Sequence, residues 1–364
     1  MDDGRLTRRE CLTRGAGAVL ATGVAAAGGY LLYDPKGDAG LRDPSDGPAP
    51  VRNYFAHVDF PDPSPRISVA TGNAQQIDNM VRAAILGLDH SLGIRRFVFA
   101  GDVVLIKPNV GFDRPPYLGA TTNPDVLRAL VRLCQEAGAD EVLVTDNPIE
   151  SPEACFAKSG IRAAAEAEGA KIVLPAQDRF RTLAIRDHAP DLRKGEALGH
   201  WPVLYHPLAK ATKLIGVAPI KDHNLAGASM ILKNWYGLLG GRRNQFHQAI
   251  HETISDLALL FSPTLVIADA TRVMMRNGPT GGRVSDVIPG GKLGRPAVIA
   301  SVDPVACDAW CCENLLDRDP IQLTYLDLAH KKIQAQITAG QHRLGQRDWR
   351  AYERQGKIAT TNVD

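Results

Sequence analysis

Five short apolar runs, each closed by charged or amide side chains, constrain this chain more than any single motif does. Asp102–Ile106, Glu141–Val144, Leu214–Ala218, Thr264–Ala268 and Pro296–Ala300 are each long enough for one buried strand. They end respectively in Lys107 and Asn109, Asp146 and Asn147, Lys221 and His223, Asp269, and Asp303. Between the first two runs Asn123 suits a helix cap, Pro124 suits the first turn, and Gly138 stops the helix. Strand, helix and strand at this spacing make a parallel β–α–β unit. Parallel strands place their carboxyl ends on one edge of the sheet, where open α/β folds bind ligands. The expectation is an α/β fold: a mostly parallel sheet flanked by helices, with the polar strand ends converging on one site. One such end is easily explained as a cap. Five together are costly to bury without partners or a ligand.

The densest of these ends lies in KLIGVAPIKDHNLAGASMILKNWYG, Lys213 to Gly237. Lys221, Asp222, His223 and Asn224 follow the apolar run, and a small-residue turn leads to Lys233-Asn234 and Trp235-Tyr236-Gly237. Lys107, Lys221 and Lys233 suit cationic contacts to an anion. Asp146, His223, His247 and Asp269 suit metal ligation or proton transfer. The catalytic candidates are Lys107, Asp146, Lys221, His223 and His247. Asn109, Lys233, Asn234, Arg242, Asn277 and Gly278 are candidates for binding a small anionic ligand. His223, His247 and Asp269 are candidate ligands for a divalent metal. Plainer roles stand beside these: Asp146 and Asp303 as caps, Lys233 lying along an amphipathic helix, His247 as an interfacial histidine.

Other chemistries find no support. His247 and His251 share an i, i+4 spacing, but the string lacks the glutamate of H-E-x-x-H. Asn277–Gly282 has the glycines of a phosphate cradle without the Lys-Ser/Thr of a P-loop. There is no G-x-S-x-G elbow, and no G-x-G-x-x-G after the first strand. A formal charge of +2 over 364 residues offers no basic face for nucleic acid. Cys307, Cys311 and Cys312 sit in an amphipathic helical string and read as small buried hydrophobes, with metal binding as the alternative. No iron–sulfur C-x2-C-x2-C run is present.

Four parts are expected along the chain. In residues 1–33, Arg8-Arg9 precede an uncharged Ala- and Gly-rich core and a small-residue site at Ala25-Ala26-Ala27. This resembles a twin-arginine export signal, with Cys11 where an aromatic is usual. It implies the twin-arginine translocase as a partner and a periplasmic or extracytoplasmic location. The segment is then either cleaved or kept as an anchor, the chain's one contact with a membrane. Residues 34–65 read as a Pro/Gly-rich tether or a wrap over the domain. Residues 66–345 form the α/β domain, with an inserted subdomain around 179–208, and 346–364 a polar tail.

Taken in order, VLIKPNVG (Val104–Gly111), TTNPDVL (Thr121–Leu127), VTDN (Val144–Asn147), Pro219-x-Lys221-x-His223, LKNWYG (Leu232–Gly237), GRRNQFH (Gly241–His247), Asp269, NGPTGG (Asn277–Gly282) and DPVACD (Asp303–Asp308) resemble the uncharacterised family called domain of unknown function 362. The resemblance covers roughly Val103 to Lys332. It implies an α/β fold, frequent export and frequent attachment to iron–sulfur domains, with no settled activity. A more distant likeness of architecture connects that family to the nickel-dependent lactate racemase fold. This chain departs in having Asp222 where members often have Thr, and it shows no fused ferredoxin module. The function expected is that of an exported enzyme acting on a small carboxylate or phosphate with a divalent metal. The alternative is a non-catalytic periplasmic anion- or metal-binding accessory protein.

Overall fold

The direction of each strand decides which side chains can meet. The computed structural model describes residues 51–56, 58–184 and 198–364. In chain order the strands are β1 (Ile67–Thr71), β2 (Val103–Lys107), β3 (Glu141–Val144), β4 (Lys171–Ile172), β5 (Phe180–Ala184), β6 (His200–Leu204), β7 (Lys213–His223), β8 (Gly227–Ser229), β9 (Leu265–Met274), β10 (Val287–Ile288), β11 (Ala297–Ser301) and β12 (Ile358–Asn362). Ten of them form one sheet, ordered β12-β1-β11-β9-β7-β2-β3-β4, with β8 paired to β7 and β10 to β9. The run β9-β7-β2-β3-β4 is parallel throughout. The fold is therefore α/β with a mostly parallel sheet, as the β–α–β spacing implies.

Period-two alternation feeds two apolar layers. Val104 and Ile106 join Met80, Val81, Leu127 and Leu130 on one side, under helices Ile77–Leu86 and Pro124–Glu136. Leu105 and Leu214 join Trp235, Leu257 and Phe261 on the other, under helices Ile250–Leu260, Pro304–Asn314 and Thr324–Thr338. Both layers are apolar because a sheet with helices on both faces has no solvated side. Asn123 caps the second helix by accepting from the Asp125 N–H at 3.0 Å.

Three expectations change. First, β11 is antiparallel to both β9 and β1, so the polar end after it, Asp303, lies at the opposite edge from the others. The link from β9 to β11 contains only 3-10 turns and β10, which folds back on β9, and without a crossover helix the chain returns antiparallel. Asp303 instead caps helix Pro304–Asn314 through Val305 and Ala306 N–H and accepts from Gln346 N–H and Tyr352 Oη. Second, residues 346–364 add β12 in parallel to β1, so the polar tail is the outer strand of the sheet. Third, the strand expected to stop at Ala268 continues to Met274.

Residues 1–50, with the expected export signal and most of the tether, lie outside the described residues. So does 185–197, the middle of the expected inserted subdomain; its flanks form the separate antiparallel pair β5–β6. From residue 51 the chain lies against the domain, with Tyr54 and Phe55 buried and the Tyr54 hydroxyl donating to Leu208 O. Cys307, Cys311 and Cys312 are buried free thiols, and burial pushes Cys312 up to about 12 and Cys311 well above its usual range. Among the described residues no helix is long and apolar enough to cross a membrane.

Asp308, wholly buried on helix Pro304–Asn314, accepts the Ile231 and Leu232 N–H groups at 2.8 and 3.0 Å, fixing the turn that carries Lys233 and Asn234. Burial raises its carboxyl from 3.8 to about 7. Between those values the folded chain holds a proton that the unfolded chain has released. Stability from this group therefore falls as pH rises from 3.8 to about 7 and levels off above. Denaturant midpoints measured across that range should show the slope, and Asp308→Asn should abolish it. Asp308→Ala should also cost about 1–3 kcal/mol for each orphaned N–H.

Candidate functional site

The carboxyl ends of β2, β3 and β7 open on one cleft. Lys107, the last residue of β2, is fully buried, and its ammonium meets Asp146 Oδ1 at 2.8 Å, Asn234 Oδ1 at 2.7 Å and Pro108 O at 2.9 Å. Asp146 Oδ2 accepts the Val110 N–H at 2.6 Å. Burial lowers the Lys107 pKa and the Asp146 charge opposes that. Gly237 lets the backbone close on this pair: a Cβ there would stand 2.2 Å from Asp146 Oδ1 and 2.7 Å from Lys107 Nζ.

Asn234 extends the network. Its Oδ1 also accepts from Asn109 Nδ2 at 3.1 Å, and its Nδ2 donates to Lys107 O and Val217 O, so both ends of the amide are engaged. Asn109 Oδ1 in turn accepts from Lys221 Nζ at 3.4 Å, and Lys221 also donates to Ala120 O at 2.7 Å. Lys221 and His223 stand two apart on β7 and so share a face. Neither partner of Lys221 is a carboxylate. Burial, then Lys233 and Lys107, bring its pKa down to about 7.

Lys233 makes no hydrogen bond or ion pair among the described residues; its Nζ lies 5.0 Å from the Tyr236 ring centroid. Burial, then Arg243 and Lys107, lower it to about 8. Arg243 is buried and held by the carbonyls of Leu239 and Pro148 at 3.1 and 2.8 Å. The cleft lining thus holds four cations and a single carboxylate, already engaged by Lys107.

Its two histidines carry their protons on opposite nitrogens. His223 Nδ1 accepts the Leu225 and Ala226 N–H groups, both at 3.2 Å, which leaves the proton on Nε2. His247 Nδ1 lies 3.0 Å from Asn244 O, which places the proton on Nδ1 and a lone pair on Nε2. Both are held neutral: burial first, then Lys233 among nearby cations, brings His223 to about 2 and lowers His247.

The cleft gathers Lys107, Asn109, Asp146, Lys221, His223, Lys233, Asn234 and His247 from the expected set. It does not gather the rest. Asp269 lies within β9, where its oxygens accept from Asn123 N–H at 2.7 Å and from Thr271 N–H and Oγ1. Arg242 is exposed, and its neighbour Arg243 takes the inward place. Asn277 donates to Asp286, and the Gly278 N–H donates to Asp222. A Cβ on Gly278 would stand 1.9 Å from Asp222 O, so the glycine serves a close backbone crossing that brings Pro279 to the cleft. Asp222 itself pairs with Arg318 at 2.7 Å. His251 stacks on Tyr325 and does not join the cleft lining beside His247.

This donor set does not fit the metal centre expected of His223, His247 and Asp269. Asp269 is spent on a helix cap and a turn, and Lys221, Lys233 and Arg243 set positive charge against the two imidazoles. Among the described residues no three His, Cys, Asp or Glu side chains come together as a metal site. Sequence reasoning passed over Arg243 and Tyr236, although both stand in the quoted GRRNQFH and LKNWYG strings.

Removing either member of the Lys107–Asp146 pair strands a buried charge, so Asp146→Leu and Lys107→Met should each cost about 3–5 kcal/mol. The double variant should be markedly more stable than the sum of the two losses, as read from denaturant midpoints.

Over 242 residues the chain is 27% identical to the thylakoid-associated protein sll1697 of Synechocystis, covering 63% of this chain and 67% of that protein. Partial likenesses to solved structures include the lactate racemase apoprotein of Thermoanaerobacterium thermosaccharolyticum (15% identity, TM-score 0.32, 59% of this chain) and a structural-genomics protein of Thermotoga maritima (13%, TM-score 0.30, 54% of this chain). The chain spans about half the length of each, 52% and 51%. The family model described as domain of unknown function (DUF362) matches residues 104–313, and the chain belongs to that family.

Proposed function

We propose that the cleft binds a small molecule bearing a carboxylate or phosphate and moves a proton on it. The observation that carries this is the charge count: Lys107, Lys221, Lys233 and Arg243 around one carboxylate, with Lys233 against the Tyr236 ring alone and Lys221 held by a carbonyl, an amide and the face of Phe112. Cations gathered with so little counter-charge are costly in a buried site, and a bound anion offsets that cost. His247 Nε2 supplies a base, while His223 Nε2–H supplies a donor that orients the ligand. The same cations would serve a non-catalytic anion-binding protein; two neutral histidines of opposite tautomer favour an enzyme. Export through the twin-arginine translocase to the periplasm or another extracytoplasmic space remains part of the proposal, supported by residues 1–33 of the sequence.

Calorimetric titration with sulfate and with malonate, standing for phosphate and carboxylate ligands, tests the reading. Binding should weaken as pH rises through about 7 to 8, where Lys221 and Lys233 give up their protons. Lys233→Met should weaken it roughly tenfold or more, the loss of a charge-assisted hydrogen bond of about 1.5–3 kcal/mol. Absence of binding by both anions, or affinity indifferent to pH and to Lys233, would refute the proposal.

A further inference from the structure

We propose that Lys233 is a covalent nucleophile, whose amine forms an imine with the carbonyl of a small 2-oxo acid held in the cleft. The proposal rests on the anion-binding reading and narrows its substrate to anions that carry a carbonyl. Three geometric facts single out this lysine. Lys107 is locked to a carboxylate, and Lys221 is engaged by a backbone carbonyl and an amide oxygen. Lys233 lines the same cleft with nothing to hold it as an ammonium except the face of Tyr236, 5.0 Å away. The His247 ring also borders Tyr236, with centroids 5.3 Å apart, so amine and base flank one aromatic ring.

Burial favours the free Lys233 amine most, then the charges of Arg243 beyond the following turn and Lys107 on β2, while Asp146, the one carboxylate of the cleft, is paired with Lys107. An amine made neutral by desolvation and neighbouring cations is the form that attacks a carbonyl.

The step balances without a further reactant. The Lys233 ammonium gives one proton to His247 Nε2. The free amine attacks the carbonyl carbon; the N–C bond forms and the C=O π pair moves to oxygen. That oxygen takes a second proton from the nitrogen, giving a carbinolamine. His247 returns the first proton to the hydroxyl, water leaves, and the nitrogen lone pair closes the C=N bond. The net change is ammonium plus carbonyl to iminium plus water. The remaining cleft cations then hold the substrate carboxylate, and the iminium draws electrons from the adjacent carbon, easing removal of a proton there.

The test treats the full chain with pyruvate and sodium cyanoborohydride at a pH near 8, followed by peptide mapping by mass spectrometry. The expected result is a reduced adduct confined to Lys233, suppressed by excess sulfate and lost in Lys233→Arg. Formation should peak near pH 8, because the free amine gains with pH while the cleft's hold on the anion weakens, whereas exposed lysines respond near 10.4. An adduct on Lys221, adducts scattered over exposed lysines, or no adduct in a chain that binds sulfate would overturn the imine and leave the anion reading standing. Failure of both sulfate binding and adduct formation would overturn the two together. Thermal unfolding of Lys233→Arg at the wild-type temperature shows that loss of the adduct is not loss of fold, and His247→Gln should slow adduct formation while leaving its site unchanged.

Discussion

The buried ion pair of Lys107 and Asp146 is the contact on which the cleft depends. It joins the ends of β2 and β3, and both members are almost wholly removed from solvent. Total stabilities of about 5–15 kcal/mol leave little room for a lone ammonium in such a place. The fold answers with several partners at once: Asp146, Asn234 and Pro108 O on the lysine, Val110 N–H and Asn147 N–H on the carboxylate. Asn234 is positioned by a turn that Asp308 starts from the far helix layer. One carboxylate under the sheet thus sets the height of an amide that holds the central lysine.

With its one carboxylate consumed, the cleft has positive charge to spare. Lys221 is parked on neutral oxygens, Lys233 on an aromatic face, and Arg243 on carbonyls. These are weak substitutes for a counter-ion, and burial first, then the neighbouring cations, depress the amine pKa values. Burial, helped by the same cations, keeps the histidines neutral. The site is therefore short of negative charge and equipped to move protons.

Much of this was legible in the sequence, because short apolar runs with polar ends are a local signal. The alternation that puts Lys221 and His223 on one face and Asp222 on the other is readable residue by residue, as is the Asn123 cap. What was not legible depends on contacts distant along the chain. The reversal of β11 follows from a link that folds back on β9, and no period in the sequence marks it. Asp269 reads as a strand end because charge interrupts an apolar run, yet the strand continues and the carboxylate caps a helix about 150 residues earlier. Arg242 and Arg243 are indistinguishable in a GRR string; the 3-10 segment that begins at Arg243 turns the second inward. The polar sequence after residue 346 hid an edge strand, since an edge strand with one open side carries little apolar signal.

The central claim is that the cleft cations are held short of full protonation until an anion arrives. Sulfate does not titrate near neutrality, so any proton exchanged on its binding belongs to the protein. Its binding enthalpy, measured at a pH between about 7 and 8 in buffers of different ionisation enthalpy, counts those protons directly. The account predicts net proton uptake as the amines of Lys221 and Lys233 regain charge beside the anion. Binding without proton exchange, or with proton release, would contradict it.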